Sequence, residues 1–428
     1  MSGRHTTYYE VRDALAAPGC VICRLATRSA RRFLESVAFE CVNDLDLRVR
    51  LRDARGFCNR HAWMLLDDAR EPFGAGIIYR DVIRSTIRAA SSDSDTGNGR
   101  GGCIACEFHD GAIRRYISVL VEHGAEPGLA AAVESGAGLC LPHARVAIGT
   151  GGRGLAALMR AMLTVAESTR DPSWRPLLQK PNGETSRVRA GRSAARPAPD
   201  EETGDPLIAL IVGARPSRWS VADERMGATL CAVCRDGDAR VDKAVSVPES
   251  TLEPGEASCV HHAWLVHDRV GPVRSRAMFG SIGAALRSAL VDAHRALTVA
   301  APLTLGPLTF ATRRSRQACL EIARSLPGEP MCGFCRVRDS TIESTQGDPF
   351  CRRHALQIGV DPSASIAWWS TIADGLDEYI RKNDYRFRDE ARGAEQRAPW
   401  LAISAMASSR GRWRLLDFHA AATQGRRR

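Results

Sequence analysis

No apolar run in this sequence approaches the length needed to cross a bilayer, and residues 1–19 carry charges without an apolar h-region. Neither a transmembrane helix nor a signal peptide is expected, and the chain is read as cytoplasmic with no membrane partner. A phosphate-binding glycine loop is missing, as is a nucleophile elbow, so nothing points to nucleotide chemistry or to an acyl-transfer serine. Lysine is scarce as well. Of 59 basic residues only Lys180, Lys243 and Lys382 are not arginine, and with abundant alanine and glycine this looks like GC-rich coding bias.

What is present is cysteine in a pattern. Twelve of the 14 cysteines fall into four copies of one arrangement. Cys20 and Cys23 are followed by Cys58 and His61, and Cys103 and Cys106 by Cys140 and His143. In the second half Cys231 and Cys234 precede Cys259 and His262, and Cys332 and Cys335 precede Cys351 and His354. In a reducing compartment clustered thiols serve as metal ligands more often than as disulfides. Two ligands separated by two residues converge from a single turn, and a second such pair completes a tetrahedron. Each copy is read as one Cys3His site closed locally, first pair with the next pair. Loop-closure entropy favours local over crossed closure by only about 1 kcal/mol. Cys41 and Cys319 have no partner at ligand spacing and are read as small buried hydrophobes.

The ligand set implies zinc, about four ions per chain, with an iron–sulfur cluster as the alternative. A divalent ion held by three thiolates contributes a charge of minus one, so four sites bring the formal +10 down to about +6. That weakens an electrostatic case for nucleic acid, although arginine remains a good phosphate ligand. With four protein ligands each, the sites leave no open position for a reacting water, which argues against an enzyme. Thioredoxin-like dithiols would require a strand-and-helix pattern that the first half lacks.

Around the ligands the first half reads as helical. Leu25, Ala26, Ala30, Phe33, Leu34 and Val37 recur at helical spacing over 24–39. Asn43 and Asp44 then suit a cap before a short helix over 45–54, with Gly56 ending it. Further helices are expected over 58–66, 77–87 and 155–168. Phe33 and Tyr116 each sit ten residues after a second cysteine and each follows Arg-Arg, so the first two copies are a duplicated unit. In the second half residues 241–247 alternate like a strand, and the sites there are expected to close on short loop or hairpin knuckles. Helices are expected over 279–297 and 366–380. His5, His109, His123, His261, His267, His294 and His419 lack a repeated partner and are read as ordinary histidines.

The expected fold is therefore mainly α, with duplicated helical units stapled by Cys3His sites. Residues 1–170 form a helical domain with two sites, 171–205 a flexible linker, 206–408 a second mainly helical domain with two sites, and 409–428 a basic tail. A polar stretch, 91–102, joins the first two copies. The segments Cys20-Val21-Ile22-Cys23-Arg24-Leu25, Glu40-Cys41-Val42-Asn43-Asp44 and Gly56-Phe57-Cys58-Asn59-Arg60-His61-Ala62-Trp63, with Asp384-Tyr385-Arg386-Phe387 near the end, resemble an uncharacterised family of bacterial, mainly actinobacterial, cytosolic proteins. The resemblance covers about the first 170 residues and a short C-terminal stretch. It implies a bacterial cytosolic setting and no activity. Tyr379, Tyr385, Arg386 and Phe387 read either as a contact surface or as a helix docking its end on the domain. In function the sequence fits a non-enzymatic multi-zinc binding or adaptor protein with a protein partner. A thiol-based redox or metal-responsive sensor and a nucleic-acid-binding protein are the alternatives.

Overall fold

The computed structural model describes residues 5–17, 19–91, 101–136, 138–152, 154–168, 208, 231–248, 259–300, 332–340, 349–358, 363–387 and 389–408. Among the described residues there are helices and no strands. The first half contributes α1 (Thr6–Ala14), α2 (Val21–Phe39), α3 (Leu45–Asp53), α4 (Asn59–Asp67), α5 (Pro72–Ala90), α6 (Ile104–His123), α7 (Pro127–Ser135), α8 (Leu141–Thr150) and α9 (Leu155–Ser168). The second contributes α10 (Ala232–Ser246), α11 (Val260–Ala300, interrupted at Gly271), α12 (Gly333–Asp339), α13 (Arg352–Ile358), α14 (Ser363–Lys382) and α15 (Ala398–Ala407). Most of the polar stretch 91–102, the linker 171–205, the tail 409–428 and Cys319 lie outside the described residues.

Local chemistry sets the ends of these helices. Asp44 caps α3, its carboxylate accepting the Leu47 N–H at 2.8 Å, as a short side chain at that position does. At the other end Arg55 (φ 57) turns the chain left-handed and the Gly56 N–H returns to the Leu51 carbonyl at 2.7 Å, a Schellman-type closure.

The chain divides into two compact units, each assembled from separated stretches. One comprises Met1–Val21, Ile117–Ser217 and Pro272–Gly328; the other comprises Ile22–Tyr116, Arg218–Gly271 and Glu329–Arg428. In the first unit α7 packs on α9 around buried Leu129, Val133, Leu158 and Met162. Tyr8 of α1 meets the His123 ring edge-on at 5.8 Å.

The main core of the second unit joins α2, α4, α5, α14 and α15. Leu34, Leu65, Ile78, Tyr79, Ile83, Leu376 and Ile403 are almost wholly removed from water there. A β-carbon on Gly74 would lie 2.1 Å from the Ala38 carbonyl oxygen, so α5 begins directly on the backbone at the end of α2, an approach only glycine permits. Tyr379 is buried in this core, whereas Tyr385 is 79% exposed. The helix-docking alternative therefore describes Tyr379 and not Tyr385.

Residues 241–246 continue α10 rather than forming a strand. Gly237, Val241 and Val245 are all buried at a spacing of four, so the apolar positions that suggested alternation equally satisfy a helix. The second-half ligand pairs accordingly sit at helix starts, not on hairpins.

Candidate metal centres

Every one of the eight ligand pairs occupies the same place in its helix. α2, α4, α6, α8, α10, α11, α12 and α13 each begin on the residue after the first cysteine of a pair. Where the cap is defined, at Cys58, Cys140, Cys231 and Cys332, the cysteine makes no side-chain capping bond. Its carbonyl accepts the first helical hydrogen bond instead, as from Ala62 to Cys58 at 2.9 Å and from Ala355 to Cys351 at 2.9 Å. A side chain at the cap and one three residues on share a face over the first turn, the geometry of a capping box. Here that geometry directs two ligand atoms at one point, and the positive end of the helix dipole favours thiolate there.

The sixteen predicted ligands gather into four groups whose ligand atoms all lie within 4.8 Å of one another. Centre I is Cys20, Cys23, Cys140 and His143. Centre II is Cys58, His61, Cys103 and Cys106. Centre III is Cys231, Cys234, Cys351 and His354, and centre IV is Cys259, His262, Cys332 and Cys335. These groups could hold metal ions.

The membership corrects the expected local closure. In each half the first pair meets the fourth and the second meets the third, a nested arrangement. The reason is helix length. The 19 residues of α2 run roughly 28 Å away from Cys20, and the nine residues of α3 can return only about 13 Å of that. Helix α6 lies antiparallel to α2, with Phe33 stacked on Phe108 at 4.7 Å and Ser29 bonded to Tyr116 at 3.1 Å. This brings Cys106 toward the end of α2 far from Cys20. An entropic preference of about 1 kcal/mol cannot override a rigid helix. In the second half α10 packs on α12 with the same result.

The histidines all approach through Nδ1. In centre II the His61 Nδ1 lies 3.3 Å from the sulfur of Cys58, 3.4 Å from Cys106 and 3.7 Å from Cys103, and Cys58 and Cys106 are 3.6 Å apart. In centre IV the His262 Nδ1 is 3.3, 3.3 and 3.4 Å from Cys259, Cys332 and Cys335, with Cys259 and Cys335 3.8 Å apart. In centre III the His354 Nδ1 is 3.3, 3.5 and 3.3 Å from Cys231, Cys234 and Cys351. In centre I the His143 Nδ1 is 3.4 Å from Cys20 and 3.2 Å from Cys140.

Electrostatics at these groups follow from sulfur crowding. Cys103 is held well below the usual thiol range by hydrogen bonds from Cys106 and Cys58, while Cys58 is pushed up by bonding to Cys103 and by burial. Centre IV repeats this, with Cys332 lowered by Cys259 and Cys335, and Cys259 raised. In centre III the hydrogen bond that the Cys231 thiol donates to Cys234 raises it to about 11, and burial raises Cys351 to about 11. Without a cation the sulfurs share protons; a divalent ion would displace them. Burial lowers His61 and His262, which keeps each imidazole neutral with a lone pair to offer.

The centres differ in access. All four residues of centre III are buried, whereas Cys58, Cys103 and Cys106 of centre II are half-buried. Cys41 joins none of the groups and is half-buried rather than buried, its sulfur 3.9 Å from the Ser36 hydroxyl. Of the remaining histidines, His5 caps α1, His123 pairs with Glu126, and His109 is buried with its ring 5.8 Å from that of His61. Side chains outside the ligand set also reach the sulfurs. The Ser408 hydroxyl is 3.2 Å from Cys351, and buried Arg338 approaches Cys335 at 4.0 Å. Spacing gives no signal for either.

No family model matches the chain, and no solved structure does. Over 97 residues the chain is 32% identical to an uncharacterized 23.9 kDa protein in the xynA 3' region of Caldicellulosiruptor sp. (strain Rt8B.4). The match takes in 22% of this chain and 46% of that relative, so the chain spans about half the length of the relative.

Proposed function

We propose that the chain is a non-enzymatic multi-zinc binding protein, with structural Cys3His sites and a protein partner for which it acts as an adaptor. One observation carries the zinc assignment. With bonds of about 2.3 Å to sulfur and about 2.0 Å to nitrogen, a tetrahedral zinc sets its sulfurs about 3.8 Å apart and sulfur and nitrogen about 3.5 Å apart. The sulfur pairs of centres II, III and IV stand at 3.6, 3.9 and 3.8 Å, edges that suit a single ion. An iron–sulfur cluster spreads its ligands over several irons and needs a wider opening. Each group supplies four protein ligands, the full complement of a closed structural site, which supports a scaffold over a hydrolase.

Among the described residues the cluster around centre III contains Cys231, Val233, Cys234, Phe350, Cys351 and Ala355, so the proposed ligands are themselves part of its packing. Ion binding there would supply folding free energy directly. Elemental analysis of the purified protein is expected to give about four zinc per chain in a colourless preparation. A brown preparation, or one zinc or none, would overturn the reading.

Centre II favours a second reading, a thiol-based sensor, because three of its ligands are half-buried and reachable by oxidant. Peroxide is then expected to release zinc with reversible disulfide formation at Cys58, Cys103 and Cys106 ahead of centre III. Inert thiols would remove this reading.

A further inference from the structure

Ser408 follows α15 and has no exposed surface. Its backbone sits at φ 72, ψ 176, a region that costs a side-chain-bearing residue free energy and is left almost entirely to glycine. A serine held there requires surroundings that hold it, and they are on both sides. The hydroxyl lies 3.2 Å from the sulfur of Cys351, a ligand of centre III. The carbonyl accepts from the Trp63 indole N–H at 3.0 Å and from the Asn59 side-chain amide at 3.3 Å. The same Asn59 amide donates to the Ala407 carbonyl at 2.6 Å. Asn59 and Trp63 belong to α4, the helix that Cys58 opens and that carries His61 of centre II.

We propose that Ser408 is a positioning residue for centre III and couples it to centre II. A metal-bound thiolate only accepts hydrogen bonds, so the Ser408 hydroxyl donates to Cys351 and fixes the direction of the sulfur lone pair toward the ion. The carbonyl of the same residue fastens the first turn of α4, which directs Cys58 and His61. Opening either centre releases one arm of the clamp, and the other arm then loses the support that keeps its backbone in a glycine-only conformation. The two centres therefore hold or lose their ions as a pair. This rests on the reading of both groups as metal sites.

The test is a chelator challenge on the full chain, read by native mass spectrometry for ions retained and by alkylation mapping for each cysteine. In the wild-type protein Cys58 and Cys351 are expected to become reactive at matching rates, so that the ions of centres II and III leave together. Ser408→Gly removes the hydroxyl and relieves the backbone, so it remains informative even if Ser408→Ala fails to fold. With either variant Cys351 is expected to react about tenfold faster and ahead of Cys58, so that centre III opens while centre II stays closed. Unchanged rates in a fully loaded Ser408→Gly protein, or one-by-one loss of these ions in the wild type, would overturn the coupling while leaving the metal sites standing. A wild-type protein that carries no ions would overturn the metal reading itself.

Discussion

The Nδ1 of His354 lies 3.3 Å from the sulfur of Cys231, with 123 residues of chain separating the two. His143 and Cys20 are separated by the same 123 residues and stand 3.4 Å apart. The outer centre of each half thus closes the same length of chain, and the inner centre lies within it.

Nested closure gives a distinctive pattern of metal loss. Cys20→Ser and Cys140→Ser each remove a ligand from centre I, so each is expected to lose about one ion per chain, and the double variant no more than either alone. Cys20→Ser with Cys58→Ser is expected to lose about two. Local closure would interchange the two double-variant results, and metal content by mass spectrometry distinguishes them.

Chelation is expected to cost helical signal. α12 and α13 have seven residues each, far below the length at which an isolated helix holds in water, and α10 packs on α12. Circular dichroism should fall on strong chelation and return when zinc is restored. An unchanged spectrum would mean that apolar packing alone supports these helices.

Glycine at two positions should respond in opposite directions. Gly74→Ala places a methyl 2.1 Å from the Ala38 carbonyl and is expected to destabilise by about 2 kcal/mol or more, since backbone must move. Gly149 is in α8 with nothing within 4 Å of the added carbon, and Gly149→Ala is expected to stabilise by up to about 1 kcal/mol. Chemical denaturation measures both.

Glu378 titrates at about 2, below its ordinary 4.5, because Arg381 bonds to it and Lys382 adds charge. A lowered carboxylate contributes stability that is fully present above pH 4.5 and is lost as pH falls through the folded value of about 2. The pair is exposed, so the contribution is small. Arg381→Gln is expected to raise the Glu378 midpoint toward 4.5, as followed by carboxyl-carbon NMR.

How far the sequence could be read depended on the range of the physics involved. Spacing within one helical turn is local, so the sixteen residues that gather into the four groups, the Asp44 cap and the limits of α9 were legible. Which pair meets which depends on the length of α2 as a rigid rod, and loop entropy alone misjudged it. Val241 and Val245 fit both periods, and only the helical start at Cys231 decides between them. The burial of Tyr379 against Gly76 and the reach of Ser408 to Cys351 join residues from distant stretches, with no local pattern to announce them.

Nesting also orders assembly on the ribosome. Cys103 emerges only 42 residues after His61, so the inner centre can take its ion while Cys20 and Cys23 still wait for partners 123 residues downstream. Metal would load from the inside outward during synthesis, and a chain truncated before residue 140 would leave the pair that emerged first without its mate.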